Sequence, residues 1–158
     1  MSLTLCFPMH LSLLLLTTLE EEEVKMNKPV FLNTNLTDIS DAKCRCCGTL
    51  PNEVVRNVMK LKRKLIELQS KLPYFPLQIL SFYRCQKNNE KVGGVPNSAH
   101  MQGLAVDIAA DTSRLKYLIV KHSLELGINR IGLYPWGVHL DIDESKVSEV
   151  IWLHTDKT

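Results

Sequence analysis

Two short segments of the chain, residues 104–109 (LAVDIA) and 137–142 (GVHLDI), alternate apolar and polar side chains. Alternation with a period of two is the pattern of a β-strand that buries one face. Asp107 lies on the polar face of the first strand, and His139 and Asp141 lie on the polar face of the second. If the two strands are neighbours in one sheet, these three side chains meet on one surface.

The longest periodic segment precedes those strands, between Pro51 and Pro73. Its apolar residues recur at alternating spacings of four and three, which predicts an amphipathic helix. Pro51 suits the first turn of this helix, and Pro73 ends it. Four basic residues cluster on it: Lys60, Lys62, Arg63 and Lys64. They would suit attraction to an anionic polymer, but a solvated helix face is the interpretation we favour.

A second helix is predicted at residues 111–127, with Asp111 or Thr112 as its cap, His122 among its inward residues and Gly127 as its stop. Residues 86–98 are rich in Asn, Gly and Pro and predict a long loop. Strands are predicted at residues 77–83, 104–109, 130–134, 136–142 and 147–154. This order predicts an α+β domain with a small, largely antiparallel sheet and flanking helices.

The composition is that of an ordinary globular protein with a single domain. The chain has 158 residues, of which 45% are hydrophobic and 23% are charged. A formal net charge of +2 is too small to indicate a nucleic-acid partner, so we predict none. Binding of nucleic acid through the basic helix is the weakest of the functions we consider.

Residues 1–25 differ from the rest, because a short apolar run is followed by four consecutive glutamates. The run has no basic start and no small-residue cleavage site, and it is too short to span a membrane. It is either a poor signal or anchor, or an extension from an upstream start. We favour the extension, with Met26 opening a folded domain over residues 26–158.

The sequence has five cysteines: Cys6, Cys44, Cys46, Cys47 and Cys85. An odd number, with three packed into CRCCG, does not match a C-x-x-C zinc knuckle. Reduced structural thiols are the default expectation. A disulfide, or a small second metal site that joins Cys85 to the CRCCG cluster, is the alternative.

His100 lies in the turn before the strand that carries Asp107. The turn can bring its imidazole beside Asp107 and His139. Two imidazoles and one carboxylate are a ligand set for catalytic zinc, because they leave the fourth position open. The competing interpretation is a simple hydrogen-bonded pair, which an H-x-D on a strand often forms.

Three ordered elements make the zinc interpretation more specific. The first, S-x-H-x-x-G-x-A-x-D, is present in full as Ser98, His100, Gly103, Ala105 and Asp107. An upstream Y-R-C-x-x-x-N-x-x-V-G-G occupies residues 83–94, and a later H-x-D occupies residues 139–141. Together they resemble the zinc D-alanyl-D-alanine carboxypeptidase family and its phage cell-wall peptidases. The CRCCG segment resembles the small-phage branch, and the resemblance covers about residues 30–153.

The resemblance implies one zinc ion per chain, held by His100, Asp107 and His139. It implies that Arg84 binds a peptide carboxylate, whose geometry matches a guanidinium fork, although a surface ion pair is the simpler role. Ser98 matches a polar position near the metal and the substrate.

Trp136 is a departure from the family pattern, because several branches have a glutamate there as general base. Asp141 is the best replacement, since its side chain leaves the same strand face as His139. Its other role would be to orient a ligand imidazole. Tyr134 is a weaker candidate that would stabilise the oxyanion and contact substrate.

The expected function is zinc-dependent hydrolysis of the peptide stem of peptidoglycan, as a D-Ala-D-Ala carboxypeptidase or an endopeptidase. Such an enzyme is made in the cytoplasm and acts at the cell wall or periplasm, as phage endolysins do. We expect a monomer without a membrane span. The superfamily also includes the hedgehog signalling domain, so the alternative is a zinc-stabilised binding module without turnover.

Overall fold

The computed structural model describes residues 29–154, so the predicted N-terminal extension, residues 1–25, lies outside the described residues. The strands are β1 (Val30–Phe31), β2 (Gln78–Ser81), β3 (Ala105–Ala109), β4 (Arg130–Tyr134), β5 (Gly137–Asp141) and β6 (Val150–Leu153). The α-helices are α1 (Asn52–Lys71), α2 (Gln86–Lys91) and α3 (Ser113–Glu125). Two 3-10 helices span Ser40–Ala42 and Ala99–Gln102. Among the described residues, no helix is both long enough and apolar enough to cross a membrane.

The strands form one sheet in the order β1-β2-β3-β5-β4-β6. Every neighbouring pair is antiparallel except β4 and β6, which run parallel. The predicted α+β fold with a largely antiparallel sheet is therefore confirmed. The strands β3 and β5 are neighbours, and Asp107 lies directly opposite His139.

The helix α1 covers the apolar face of the sheet. Its stripe is fully or almost fully buried at Val54, Val58, Leu61, Leu65 and Leu68. Burial of one such leucine contributes roughly 1.5–3 kcal/mol. Pro51 is the N-cap, one position before the predicted first turn, and the helix ends at Lys71, just before Pro73.

Lys62 contradicts the prediction of a solvated basic face. Its side chain is 0% exposed and forms an ion pair with Asp41, with Nζ 2.8 Å from Oδ1. Nζ also donates to the carbonyl of Asp38. The prediction failed here because a charge run does not show which of its members meets a buried carboxylate. Lys60 and Arg63, by contrast, are exposed.

The helix α3 begins at the cap that the sequence predicted as one of two candidates. The hydroxyl of Thr112 accepts a hydrogen bond from the amide of Leu115 at 3.2 Å. Gly127 follows the helix with a φ of +69°, a conformation that favours glycine. His122 lies on the inward side as predicted, with a side chain that is 16% exposed, and its Nδ1 lies 2.9 Å from the carboxylate of the more exposed Glu125.

Three segments differ from the sequence-based prediction. The predicted loop at residues 86–98 contains α2, whose six polar residues show no apolar period. The strand predicted at residues 77–83 is shorter and spans Gln78–Ser81, and the register shifts between Ile79 and Ser81. The two-residue β1 was not predicted, because such a short strand has too few positions to show alternation.

Candidate active site

Three potential ligands meet on the polar face of the sheet. Asp107 and His139 face each other across β3 and β5, and His100 comes from the 3-10 helix before β3. Gly103 makes this turn with a φ of +67°, and a Cβ there would lie 2.8 Å from Val58 Cγ2. The turn therefore requires glycine, and it returns the imidazole of His100 to the strand that follows.

The donor atoms of the three residues are close neighbours. Asp107 Oδ1 lies 2.8 Å from His139 Nδ1 and 3.2 Å from His100 Nε2, and the two nitrogens lie 3.2 Å apart. His100 Nδ1 lies 2.6 Å from the carbonyl of Phe82. Because a carbonyl only accepts, Nδ1 carries the hydrogen of the neutral ring and Nε2 presents its lone pair. Three electron-rich atoms thus share at most one hydrogen, an arrangement that a cation would stabilise.

These residues fit a zinc ion. Bonds of 2.0–2.1 Å to nitrogen and oxygen in a tetrahedron place the ligand atoms roughly 3.3 Å apart. The observed separations of 2.8–3.2 Å are slightly shorter, so a small expansion would admit the ion. The hydrogen bond from His100 to Phe82 is of the kind that orients a metal-binding imidazole.

The protonation states of His100 and Asp107 also suit a metal. Burial lowers the pKa of His100, so the ring is neutral at neutral pH. Burial by itself would raise the pKa of Asp107, but electrostatic interactions and hydrogen bonds with the His100 and His139 imidazoles hold this pKa well below its usual range. Burial opposes protonation of His139, yet the hydrogen bond to Asp107 and the nearby carboxylate of Asp141 raise the pKa of this imidazole. Asp107 and His100 are therefore in the forms that bind metal, whereas a metal ion would displace a proton from His139.

Arg84 lies beside the three donors, just beyond the end of β2. Its Nε donates to Ser81 Oγ at 2.8 Å, and its Nη2 donates to Asp107 Oδ2. Its backbone amide donates to the carbonyl of His100 at 3.2 Å. Within residues 29–154, Nη1 forms no hydrogen bond, and Arg84 lines the cleft in front of the donors.

Asp141 lies on the same face of β5 as His139, as the alternation predicted. Its Oδ2 is 4.0 Å from His139 Nε2 and accepts a hydrogen bond from Arg130 Nε at 3.0 Å. Its Oδ1 accepts from the amide of Asp143 at 2.7 Å. Burial would raise the pKa of Asp141, but the nearby His139 imidazole and the hydrogen bonds from Asp143 and Arg130 lower it. Asp141 is therefore ionised, and both of its oxygens have partners.

The remaining candidates separate into two groups. Ser98 is buried beside His100, and Tyr134 stacks between Trp136 and His154 at centroid distances of 4.5 and 4.7 Å. Both Ser98 and Tyr134 line the cleft. His122 lies on α3 and is not among the residues that line it.

Two residues that contact the site, Arg130 and Trp152, were not foreseen. Arg130 is the partner of Asp141 across β4 and β5, and Trp152 lies opposite Gly132 in β6. The Trp152 ring is 5.5 Å from the His139 ring and lies under the Arg130 guanidinium. The sequence could have indicated Arg130 through the hairpin around the Pro-Trp turn. Pairing residues 130–134 with 137–141 in that hairpin places Arg130 opposite Asp141.

The cleft has a volume of about 890 Å³. His100, Asp107 and His139 lie at one part of its wall, and the aromatic rings of Tyr134 and Trp136 lie at another. A cleft of this size admits a small peptide. Three mixed donors with an open fourth position, facing such a cleft, define a candidate catalytic metal site.

The arrangement is that of a metallopeptidase, and the family comparison supports this class. Residues 17–141 match the family model described as Peptidase M15. The chain therefore belongs to the Peptidase M15 family, whose peptidases are zinc-dependent. No curated protein matches the chain in sequence.

Proposed function

We propose that this chain hydrolyses peptide bonds in the peptide stem of peptidoglycan, as a D-Ala-D-Ala carboxypeptidase or an endopeptidase. The observation that carries the proposal is the meeting of His100, Asp107 and His139 in a cleft that also contains Arg84. When bound, zinc supplies a Lewis acid that polarises the scissile carbonyl and acidifies water. The residues of the chain bind and orient the peptide around that position.

Arg84 binds a carboxylate of the substrate in this proposal. Ser81 and Asp107 hold two of its nitrogens, so the guanidinium is presented to the cleft in one orientation. Its Nη1, without a partner in residues 29–154, is available to a peptide carboxylate. A fixed guanidinium gives a charge-assisted hydrogen bond at a small entropic cost.

Asp141 has two proposed roles, and the contacts favour one of them. It lies at the Nε2 edge of His139, whereas the donor atom that meets Asp107 is Nδ1. From this position the carboxylate orients the imidazole, and Arg130 keeps the carboxylate in place. Acceptance of a proton from the attacking water is the second role, and it requires Asp141 to exchange one of its present partners.

A binding module without turnover is the alternative function. Trp136 favours it, because this side chain stands where several branches of the family have the glutamate that acts as base. The ring is 43% exposed and stacks on Tyr134, so it offers a contact surface and no group that can take a proton. In this alternative, zinc would stabilise the fold around a recognition cleft.

The proposed place of action follows from the proposed substrate. Peptidoglycan lies outside the cytoplasm, so the enzyme would act at the cell wall or periplasm after synthesis in the cytoplasm, as a phage endolysin does. We propose a monomer that has no nucleic-acid partner. Size measurement in solution tests the monomer.

Mass analysis of purified peptidoglycan fragments incubated with the zinc-loaded chain tests the proposal. Loss of one terminal alanine identifies a carboxypeptidase, and cleavage within or between stems identifies an endopeptidase. The matched control is His139→Ala under the same conditions. Intact fragments that still bind to the wild-type chain would instead support the binding module.

A second comparison tests the role of Arg84. Substrate peptides that differ only in a free or an amidated C-terminus are offered to the wild type and to Arg84→Ala. We expect the variant to lose activity on the free carboxylate far more than on internal bonds. An equal loss on both peptides would contradict carboxylate binding by Arg84.

A further inference from the structure

Four cysteine side chains lie together beside the end of β2. Cys44, Cys46 and Cys47 come from the turn after the first 3-10 helix, and Cys85 directly follows Arg84. Their sulfur atoms all lie within 4.8 Å of one another. We propose that these four thiolates bind a second, structural metal ion of the soft divalent class, with zinc as the ion expected.

The sulfur positions fit a tetrahedral ion. Cys46 Sγ lies 3.6 Å from Cys44 Sγ and 3.3 Å from Cys85 Sγ. Four sulfurs bound to zinc at about 2.3 Å lie roughly 3.8 Å apart. These two separations are slightly shorter than this value, and the other pairs lie within 4.8 Å. All four cysteines are free thiols, so no disulfide competes for them in this structure.

The loop is folded so that three cysteines face one point. The amide of Gly48 donates to the carbonyl of Cys44 at 2.8 Å, and the amide of Cys44 donates to the carbonyl of Thr49 at 2.9 Å. Gly48 has a φ of +66°, and a Cβ at this position would meet nothing within 4 Å, so glycine serves the backbone conformation alone. The amide of Cys85 points at Cys44 Sγ from 3.3 Å, a contact that stabilises a thiolate.

The chemistry of the donor set selects the ion. Four sulfur ligands favour zinc and other soft ions over calcium or magnesium, which prefer oxygen. Binding of one divalent ion displaces up to four thiol protons and leaves a complex with a net charge of −2. Arg45 lies in the same loop and donates hydrogen bonds to the carbonyls of Ile79 at 2.8 Å and Leu80 at 3.3 Å. Its positive charge therefore lies close to the cluster and would partly offset the negative charge of the complex.

The location gives the ion a structural role. A four-thiolate site is closed and leaves no position for substrate. It would join the loop at residues 44–47 to Cys85, and thereby hold the neighbouring Arg84 at the cleft. A hydrogen bond already joins these two segments, because the amide of Tyr83 donates to the carbonyl of Ala42 at 3.2 Å. The proposal does not depend on the substrate of the enzyme.

Metal content of the full chain tests the proposal. We expect two zinc ions in the wild type, one in Cys46→Ser/Cys85→Ser and one in His100→Ala/His139→Ala. Cys6→Ser, which changes the cysteine outside the cluster, should keep both. Substitution with cobalt should give an intense thiolate-to-metal absorption band in the wild type and the histidine variant, and none in the double cysteine variant.

A titration of the unmodified protein covers the case in which the double variant does not fold. A mercurial reagent that blocks thiols should react with all five cysteines and release one zinc ion, while the second ion stays bound. A wild type with a single zinc that only the histidine substitutions remove would overturn the proposal. An intact mass that shows disulfides among these four cysteines would overturn it as well.

Discussion

The histidine and aspartate donors and the cysteine cluster are built in different ways. The first set combines three donors of two kinds, fixed mainly by the register of β3 and β5, and it opens onto a cleft. The second has four identical donors from a turn and the N-cap of α2, with no position left for substrate. An open mixed set suits chemistry, and a closed set of thiolates suits support of the fold.

The two regions meet at Arg84. Its side chain contacts Asp107 of the first set, and the next residue, Cys85, belongs to the second. One short segment can thus serve the cleft with one side chain and the scaffold with the next. Loss of either region should therefore affect the enzyme in a distinguishable way.

The largest expected effect is loss of hydrolysis in His139→Ala. Removal of one ligand takes away charge stabilisation of several kcal/mol, so turnover should fall by about 1,000-fold or more. The apolar face of β5 is unchanged, so far-UV circular dichroism should remain that of the wild type. Substantial residual turnover would show that the histidine and aspartate donors are not the catalytic set.

The next largest effect is on stability. Lys62→Met leaves Asp41 buried without its partner, and the breaking of a buried pair costs about 3–5 kcal/mol. Asp41 lies just before the turn that carries Cys44, Cys46 and Cys47. The free energy of unfolding in urea, measured with and without a chelator, therefore shows whether protein contacts or a metal ion stabilise this region. Lys60→Met is the matched control on the same helix, since the Lys60 pair with Glu144 is exposed. Equal stability of both variants would show that the buried pair does not support the turn.

The sequence could predict the donors on regular strands but not the cluster formed by irregular segments. Alternation in β3 and β5 predicted that Asp107, His139 and Asp141 share a face, because strand geometry fixes side-chain direction. Cys46 and Cys85 are 39 residues apart and come from irregular segments, so no period links them. For this reason the cysteine cluster remained only an alternative at the level of sequence.

Two further failures have the same physical origin. The burial of Lys62 depends on Asp41, which lies in another element, and a local charge pattern does not contain that contact. Arg130 reaches Asp141 only through the pairing of β4 with β5. Local periodicity therefore predicted the faces of the elements, and tertiary pairing determined which polar groups meet.

A smaller effect is expected for Asp141→Asn. If Asp141 orients His139, zinc affinity should fall by about 10- to 100-fold, and excess zinc should restore much of the rate. If Asp141 accepts the proton, zinc affinity stays and turnover falls by roughly 100-fold or more. Zinc titration alongside turnover at saturating zinc separates these outcomes. The absence of both changes would rule out both roles and leave Tyr134, already in the cleft, as the next candidate.

The smallest effect concerns Trp136, at the rim of the cleft. Its exposed ring stacks on Tyr134, so a peptide entering the cleft would gain contact area with a rigid aromatic pair. An aromatic contact of about 0.5–1.5 kcal/mol corresponds to a change of roughly 2- to 10-fold, so Trp136→Ala should raise KM by that factor. Because the indole neither gains nor loses a proton near neutral pH and Trp136 is not one of the three donors, kcat should be unchanged.

Tyr117→Ala is the matched control, since Tyr117 is 64% exposed on α3 and is not among the residues that line the cleft. It should leave both constants at their wild-type values. A fall in kcat with unchanged KM in Trp136→Ala would mean that Trp136 acts on the chemical step. The catalytic residues would then include Trp136 as well as the three donors. If binding of peptidoglycan fragments weakens in Trp136→Ala while neither protein cleaves them, the rim contact serves recognition alone, as the binding module requires.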